Sequence, residues 1–480
     1  MEITRRLRLL NDGLTSRVGV GLLFILVFLL SLPAVTTRLY SADEIEYFAF
    51  LRSLWFDQDL SFENEYQYFY DRGIAHAYGF HETFLELRTE TGLRYNFGTI
   101  GCAILWAPAY AVGHMVALTM RWLGSEVLAD GFSQPYLSAV AYGSAVYAFF
   151  AVVISVAVAR RLVGGSTTVG LLTWLGTPLL FYAYIAPGMS HACSAFMVAV
   201  FVLVWLRVRR AWSLQGLAVL GAVTALMAMV REQDLLLVIG PIADFIWTAI
   251  TRIRTSSGRM RSAQQWFTAS IVGSFVFAIV YIPQVISYIV LNGRLGPPNV
   301  ITGKMNWLAP HALQVLFSLE HGLFLWTPLL LVASGGLLWL AWSGCGGSTD
   351  RTDMRRIGLL LCLMVLTQIY VTGSVDSWTS AGAFGQRRFV GLTVVWVLGL
   401  ATLFNVTRAG TRRLLWGVCA LSVWWNLGLI AQFGAGIMDR QRLELARNAH
   451  GTFIEVPRRL PELAYRYAFD RQSFYAPKTP

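Results

Sequence analysis

The chain has 480 residues, 56% of them hydrophobic and only 14% charged, with a formal net charge of +11. Soluble domains carry about 25% charged residues, so this composition excludes an ordinary soluble protein and points to an all-α polytopic membrane protein. The basic residues sit in short loops between apolar runs, not interleaved with aromatics, which argues against a nucleic-acid partner.

The chain opens with "MEITRRLRLL", followed by "VGVGLLFILVFLLSLPAV". That run is too long for a signal-peptide core and has no clean small-x-small cleavage site. It is expected to be a retained first helix with a cytoplasmic N-terminus. A bilayer core needs about 20 apolar residues per helix. On that measure the spans fall at 18–37, 97–120, 135–159, 167–186, 189–206, 214–230, 235–250, 267–291, 322–342, 357–375, 389–404 and 414–432. The expectation is therefore about 11–13 transmembrane helices over residues 1–432 and a short outer tail over 433–480. No period of about 20–50 residues repeats, which excludes a solenoid.

Lys and Arg in short loops mark the cytoplasmic side. "RRLVGG" (160–165), "RVRR" (207–210), "TRIRTSSGRMR" (251–261), "DRTDMRR" (350–356) and "TRAGTRR" (407–413) carry that signal. One conflict appears. Three apolar runs separate the N-terminus from "RRLVGG", whereas two cytoplasmic segments require an even number of crossings. Either one run does not cross, a span is missing, or this loop breaks the rule.

The first outer loop, 38–96, holds 11 of the 27 acids and five arginines. "EIEYFAFLRSLWF" and "HETFLELRTE" have helical apolar spacing and are expected as amphipathic surface helices. The second outer loop, 292–321, mixes turn residues with another amphipathic stretch. Asp57, Asp59, Glu63 and Glu65 are expected on the wet face of the first loop. His76, His81 and Glu82 match no usual metal spacing. The five cysteines include no CxxC pair and suggest neither a disulfide framework nor a zinc site.

Five places could carry chemistry. Asp43 and Glu44 follow the first span, either as a solvated helix end or as a general base or metal ligand at the membrane boundary. In "WTSAGAFGQRRFV", Arg387 and Arg388 open a span on the outer face, against the positive-inside rule. They either snorkel or bind an anionic phosphate. Arg231 lies between spans beside Glu232 and Asp234, either paired locally or functional. His191, in "APGMSHACSAF", is structural, phosphate-binding or a proton carrier. Glu320 and His321 precede "GLFLWTP" and are either structural or a ligand pair. No Walker A, GxGxxG, HExxH or GxSxG motif is present, which disfavours a soluble nucleotide-using enzyme.

Taken together, "ADEIEYFAFLRSLWFDQDL" after the first span, "GLFLWTP" and "FGQRRFV" resemble the C-type (GT-C) membrane glycosyltransferases. The nearest branch is the dolichyl-phosphate-mannose–protein mannosyltransferase-like one of bacteria and archaea. The resemblance spans most of the chain in architecture but is concentrated in those motifs. It implies a polyprenyl-phosphate sugar donor and a glycan, lipid or protein acceptor on the outer face of the plasma membrane. It also implies Asp43 as catalytic carboxylate with Glu44 as the second acid. Arg387 and Arg388 would hold the donor phosphate, with Arg231 and Arg94 as weaker candidates. Trp55, Trp307 and Trp378 would stack on sugar or isoprenoid. Many members carry another Asp at the junction between the fourth and fifth spans. Here Ser190 and His191 stand there, so an inverting transfer without a metal is favoured and no cofactor is expected. A lipid or glycan flippase, and a ligase using a diphosphate-linked glycan, are the alternatives.

Overall fold

A computed structural model describes residues 17–74, 79–165, 167–255, 259–344, 351–380 and 382–474. These residues form helices and loops, and the only β pairing described is two isolated bridges, Arg88–Arg94 and Met305–Val375. Eight described helices are long and apolar enough to cross a membrane, and three shorter apolar ones accompany them. The chain is thus an all-α, multi-pass membrane protein by its described helices. The remaining expected span, 167–186, is broken into α6 (Thr167–Gly176) and α7 (Leu179–Tyr184). Pro178 sits at the break, where its ring disfavours a continuous helix.

The bundle is built from α1 (Arg17–Ser31), α5 (Gln134–Val163), α8 (His191–Val208), α9 (Leu214–Val230), α10 (Ile239–Thr255) and α11 (Arg259–Asn292). It is completed by α14 (Pro328–Ser343), α15 (Arg351–Ser374), α16 (Thr393–Val406) and α17 (Ala409–Ala435). In a membrane the hydrophobic effect does not draw helices together, and small residues at contacts let backbones approach. Here α14 and α16 cross at Gly336 and Gly399. A Cβ at Gly336 would lie 1.9 Å from the Gly399 carbonyl oxygen.

Between them lie α2 (Ala42–Arg52), α3 (Glu63–Asp71), α4 (Gly101–Trp122), α12 (Ala312–Phe317) and α13 (Leu323–Trp326); α18 (Leu445–His450) and α19 (Val456–Phe469) form the tail. Helix α2 forms as expected but does not lie on a surface. Ile45, Phe48, Ala49 and Phe50 are all fully buried, because the 59–132 segment covers it. The acids near it are not all wet either. Glu65 is fully buried and bonds Arg52, which also pairs with Asp57. "HETFLELRTE" yields one π turn, His81–Glu86, and then extended chain.

The contacts of α4 bear on the crossing conflict. At its start, Thr99 Oγ1 donates to the Val230 carbonyl at 3.0 Å and Gln284 Oε1 accepts from the Ile100 N–H. Beyond its end, Asp130 O accepts from Arg52, Phe132 stacks on Tyr68 at 3.9 Å, and Gln134 reaches Thr37. Thr37, Arg52 and Tyr68 belong to the same layer as Asp43. Both ends of α4 therefore bond segments that neighbour the Asp43 region, although the helix is itself long and apolar enough to cross a membrane. It packs on the first half of α5, through Trp106–Ser144 and Tyr147–Leu105, and also on α2 and α9.

The far end of α5 meets the end of α16, where Asn405 donates to the Val163 carbonyl. Two other basic loops also meet, since Arg209 bonds both Asp244 and Asp353 at 2.7 Å and Arg356 bonds Asp244.

Candidate functional site

The site is assembled by the N-terminus of α2, the α7–α8 junction, the turn after α9 and the loop before α16. Ser41 caps α2. Its Oγ accepts from the Glu44 N–H, and Glu44 Oε2 accepts in return from the Ser41 N–H at 3.2 Å. Glu44 Oε2 also accepts from the Tyr40 N–H, and Oε1 accepts from the Gly188 N–H. Glu44 is fully buried, and that burial pushes its carboxyl up to about 7. Its oxygens are engaged in tying the start of α2 to the α7–α8 junction. Ser41-x-x-Glu44 is a capping-box spacing, and that signal was legible in the sequence.

Asp43, one position earlier, points elsewhere. Its carboxylate is partly exposed and accepts from Arg387 Nη1 at 2.5 Å, across 344 positions of chain. The same guanidinium lies 3.7 Å from Met189 Sδ. Glu46, at the next turn of α2, was not singled out from the sequence. It is 5% exposed, and Oε1 accepts from the Phe97 N–H at 2.6 Å. Burial, then the neighbouring Asp43 carboxylate, push its carboxyl up to about 8, while Arg387 pulls the other way. Its i, i+3 spacing from Asp43 on a helix was the available clue.

Residues 387–392 form a 3₁₀ turn, so successive side chains point about 120° apart. Arg387 faces Asp43, whereas Arg388 donates to the Ser377 carbonyl and hydroxyl at 2.9 and 3.0 Å. The pair therefore opens like a fork. Beneath it, buried Gln386 donates to the Trp378 and His321 carbonyls and accepts from Ser380. Gly385, at φ +59°, makes the bend that turns the chain into the 3₁₀ segment. Tyr182 fixes the loop from the other side by exchanging hydrogen bonds with the Phe384 backbone at 3.1 Å.

Arg231 does not pair with Glu232 or Asp234. It bonds His191 Nδ1 at 2.7 Å, while Asp234 accepts from Ser194. Arginine only donates, so Nδ1 accepts and the imidazole is neutral with its proton on Nε2. The ring packs on Tyr182 at 4.3 Å. Arg231, Arg387 and Arg388 all lie within electrostatic reach of His191.

The other expected residues lie outside this constellation. Arg94 pairs with Glu63 at 2.7 Å and donates to the Glu86 carbonyl, fastening the first outer loop. Trp55 packs on Tyr110 of α4. Trp378 stacks on His311, joining the loop before α16 to the second outer loop. Trp307 is exposed beside Tyr370. Glu320 is exposed, while adjacent His321 is buried, stacks on Trp326 at 4.6 Å and bonds the Arg440 carbonyl. The two do not act as a ligand pair, because consecutive side chains diverge. His81 faces Glu86, and His76 lies outside the described residues.

Three guanidiniums thus converge on a centre with one exposed carboxylate. Glu46 adds little charge at neutral pH because its proton is retained. Such a centre favours an anion and keeps one base beside it. Compared with known protein families, curated proteins and solved structures, the chain shows no significant match to any of them.

Proposed function

We propose that this chain is a membrane glycosyltransferase that moves a sugar from a polyprenyl-phosphate donor to an acceptor hydroxyl. The observation that carries the reading is the contact between Asp43 and Arg387, with Arg388 and Arg231 beside it. A base and an anion-binding fork in one place are what displacement of a phosphate leaving group requires. In the free protein Arg387 occupies one Asp43 oxygen. A donor phosphate competes for that guanidinium, which suits phosphate geometrically. The carboxylate is then released to take the acceptor proton. The acceptor oxygen forms its bond to the anomeric carbon, the carbon–oxygen bond to phosphate breaks, and polyprenyl phosphate leaves with the electron pair. Arg387 and Arg388 stabilise the charge that grows on it.

The resemblance to C-type glycosyltransferases adds support, with Asp43 in the matching place. The acceptor is a hydroxyl of a glycan, lipid or protein. The basic loops at the far end of the bundle read as cytoplasmic, which supports an outer-face position for Asp43, and the resemblance points to the plasma membrane. The test is transfer by purified protein in liposomes from synthetic polyprenyl-phosphate sugars, with products read by mass spectrometry. Asp43→Asn is expected to abolish transfer and keep the fold. Full turnover in that variant defeats the base assignment. Lipid movement without a new glycosidic bond would indicate a transporter instead.

A further inference from the structure

A second feature lies away from Asp43. A cavity of about 1460 Å³ opens between α1 and α17, which both rest on α6. Its size exceeds the roughly 300–1,000 Å³ of a usual small-molecule pocket. The wall is apolar, with Phe24 and Phe28 from α1, Trp174 from α6, Phe181 from α7 and Ile430 from α17. Its rim is basic. Arg38, Arg440, Arg459, Arg466 and Arg471 line it, and among the described residues no aspartate or glutamate does.

The rim is built by the tail. Arg471 donates to the carbonyls of Pro33, Val35 and Tyr467, and the Tyr467 hydroxyl donates to the Ala34 carbonyl. The end of α1 is thereby strapped under α19. Arg440 lies over the Phe433 ring and donates to the Phe433 carbonyl. Arg440 and Arg471 are held by neutral oxygens and aromatic rings. Arg459 and Arg466 share one carboxylate, the exposed Glu462.

We infer that this groove binds a membrane lipid with a phosphate head and a long apolar tail, separately from the Asp43 centre. The tail lies against the aromatic wall in the apolar span, and the phosphate meets the arginine rim. Charge complementarity selects the occupant, since guanidiniums without lining carboxylates attract phosphate and an uncharged lipid would leave them unmatched. The groove backs onto the catalytic candidate through Phe181, which stacks on Phe384 of the arginine loop at 4.8 Å. The inference stands whether or not Asp43 catalyses sugar transfer.

The probe is farnesyl phosphate, titrated by calorimetry into the full chain in non-ionic detergent. Farnesol and inorganic phosphate are the controls. Gly434 on the groove wall has open space at its Cβ, so Gly434→Phe fills the groove without a clash against the fold. Farnesyl phosphate is expected to bind at least about tenfold tighter than either control. Gly434→Phe should weaken it by about tenfold or more, and Arg459→Gln by about threefold. In Arg388→Ala the Gly434-sensitive binding should persist. Equal binding of farnesol, or no effect of Gly434→Phe, overturns the inference. So does binding that disappears in Arg388→Ala alone, because the lipid would then sit at the Asp43 centre.

Discussion

Glu46→Gln tests the electrostatics of the site most directly. In the folded protein Glu46 is 5% exposed and its carboxyl is raised from 4.5 to about 8, chiefly by burial. Between those values the folded state holds a proton that the unfolded chain releases. Stability from this group is fully present below about pH 4.5 and is lost as pH rises towards about 8. At about 1.4 kcal/mol per pH unit, the loss is on the order of 5 kcal/mol. Glutamine mimics the neutral acid and keeps an oxygen for the Phe97 N–H, so the variant should escape this loss. The assay is thermal unfolding of both proteins in detergent from pH 5 to pH 9, followed by tryptophan fluorescence. Glu44 and Glu65 are also raised by burial, both to about 7, but they contribute equally to both proteins and cancel in the difference. The variant should gain on the parent steadily as pH rises. A difference that stays flat across that range refutes the argument.

Three further outcomes follow from the geometry. Arg388→Ala should weaken donor binding by about tenfold with a smaller effect on the chemical step, since Arg388 is tethered only to Ser377 and is free to turn to phosphate; equilibrium binding of a donor analogue measures this. Glu44→Ala should lower stability by about 1–3 kcal/mol, because it strands buried backbone donors of Tyr40, Ser41 and Gly188; denaturation at fixed pH reads the loss. Gly336→Ala should cost more than about 3 kcal/mol or prevent folding, since its Cβ would overlap the Gly399 carbonyl; yield and melting temperature report it.

Much of the molecule was legible from composition and periodicity. Apolar runs of membrane length set the helices nearly segment by segment, because a bilayer demands that each backbone group be bonded within its own helix. The α4 run marks the limit of that signal: the helix forms where its apolar run predicts it. Length and apolarity describe a helix, but not where its two ends are anchored, and the anchors here are Val230 at one end and Arg52 and Tyr68 at the other. The burial of α2 was also hidden, since the rings that cover it arrive from Phe62 to as far along the chain as Phe132.

The site divides along the same line. Residue type and position alone marked Asp43 beside the first span and the arginines facing the wrong way for topology. Local sequence also contained the Ser41–Glu44 cap. It could not reveal that Asp43 touches Arg387 across 344 positions, or that Arg388 turns away to Ser377. It could not reveal that Arg231 spends its donor on His191. Helix identity follows from short-range hydrogen bonding and burial, which neighbouring residues dictate. Charge pairing at the end of the bundle depends on which helices pack together, and only the tertiary structure decides that.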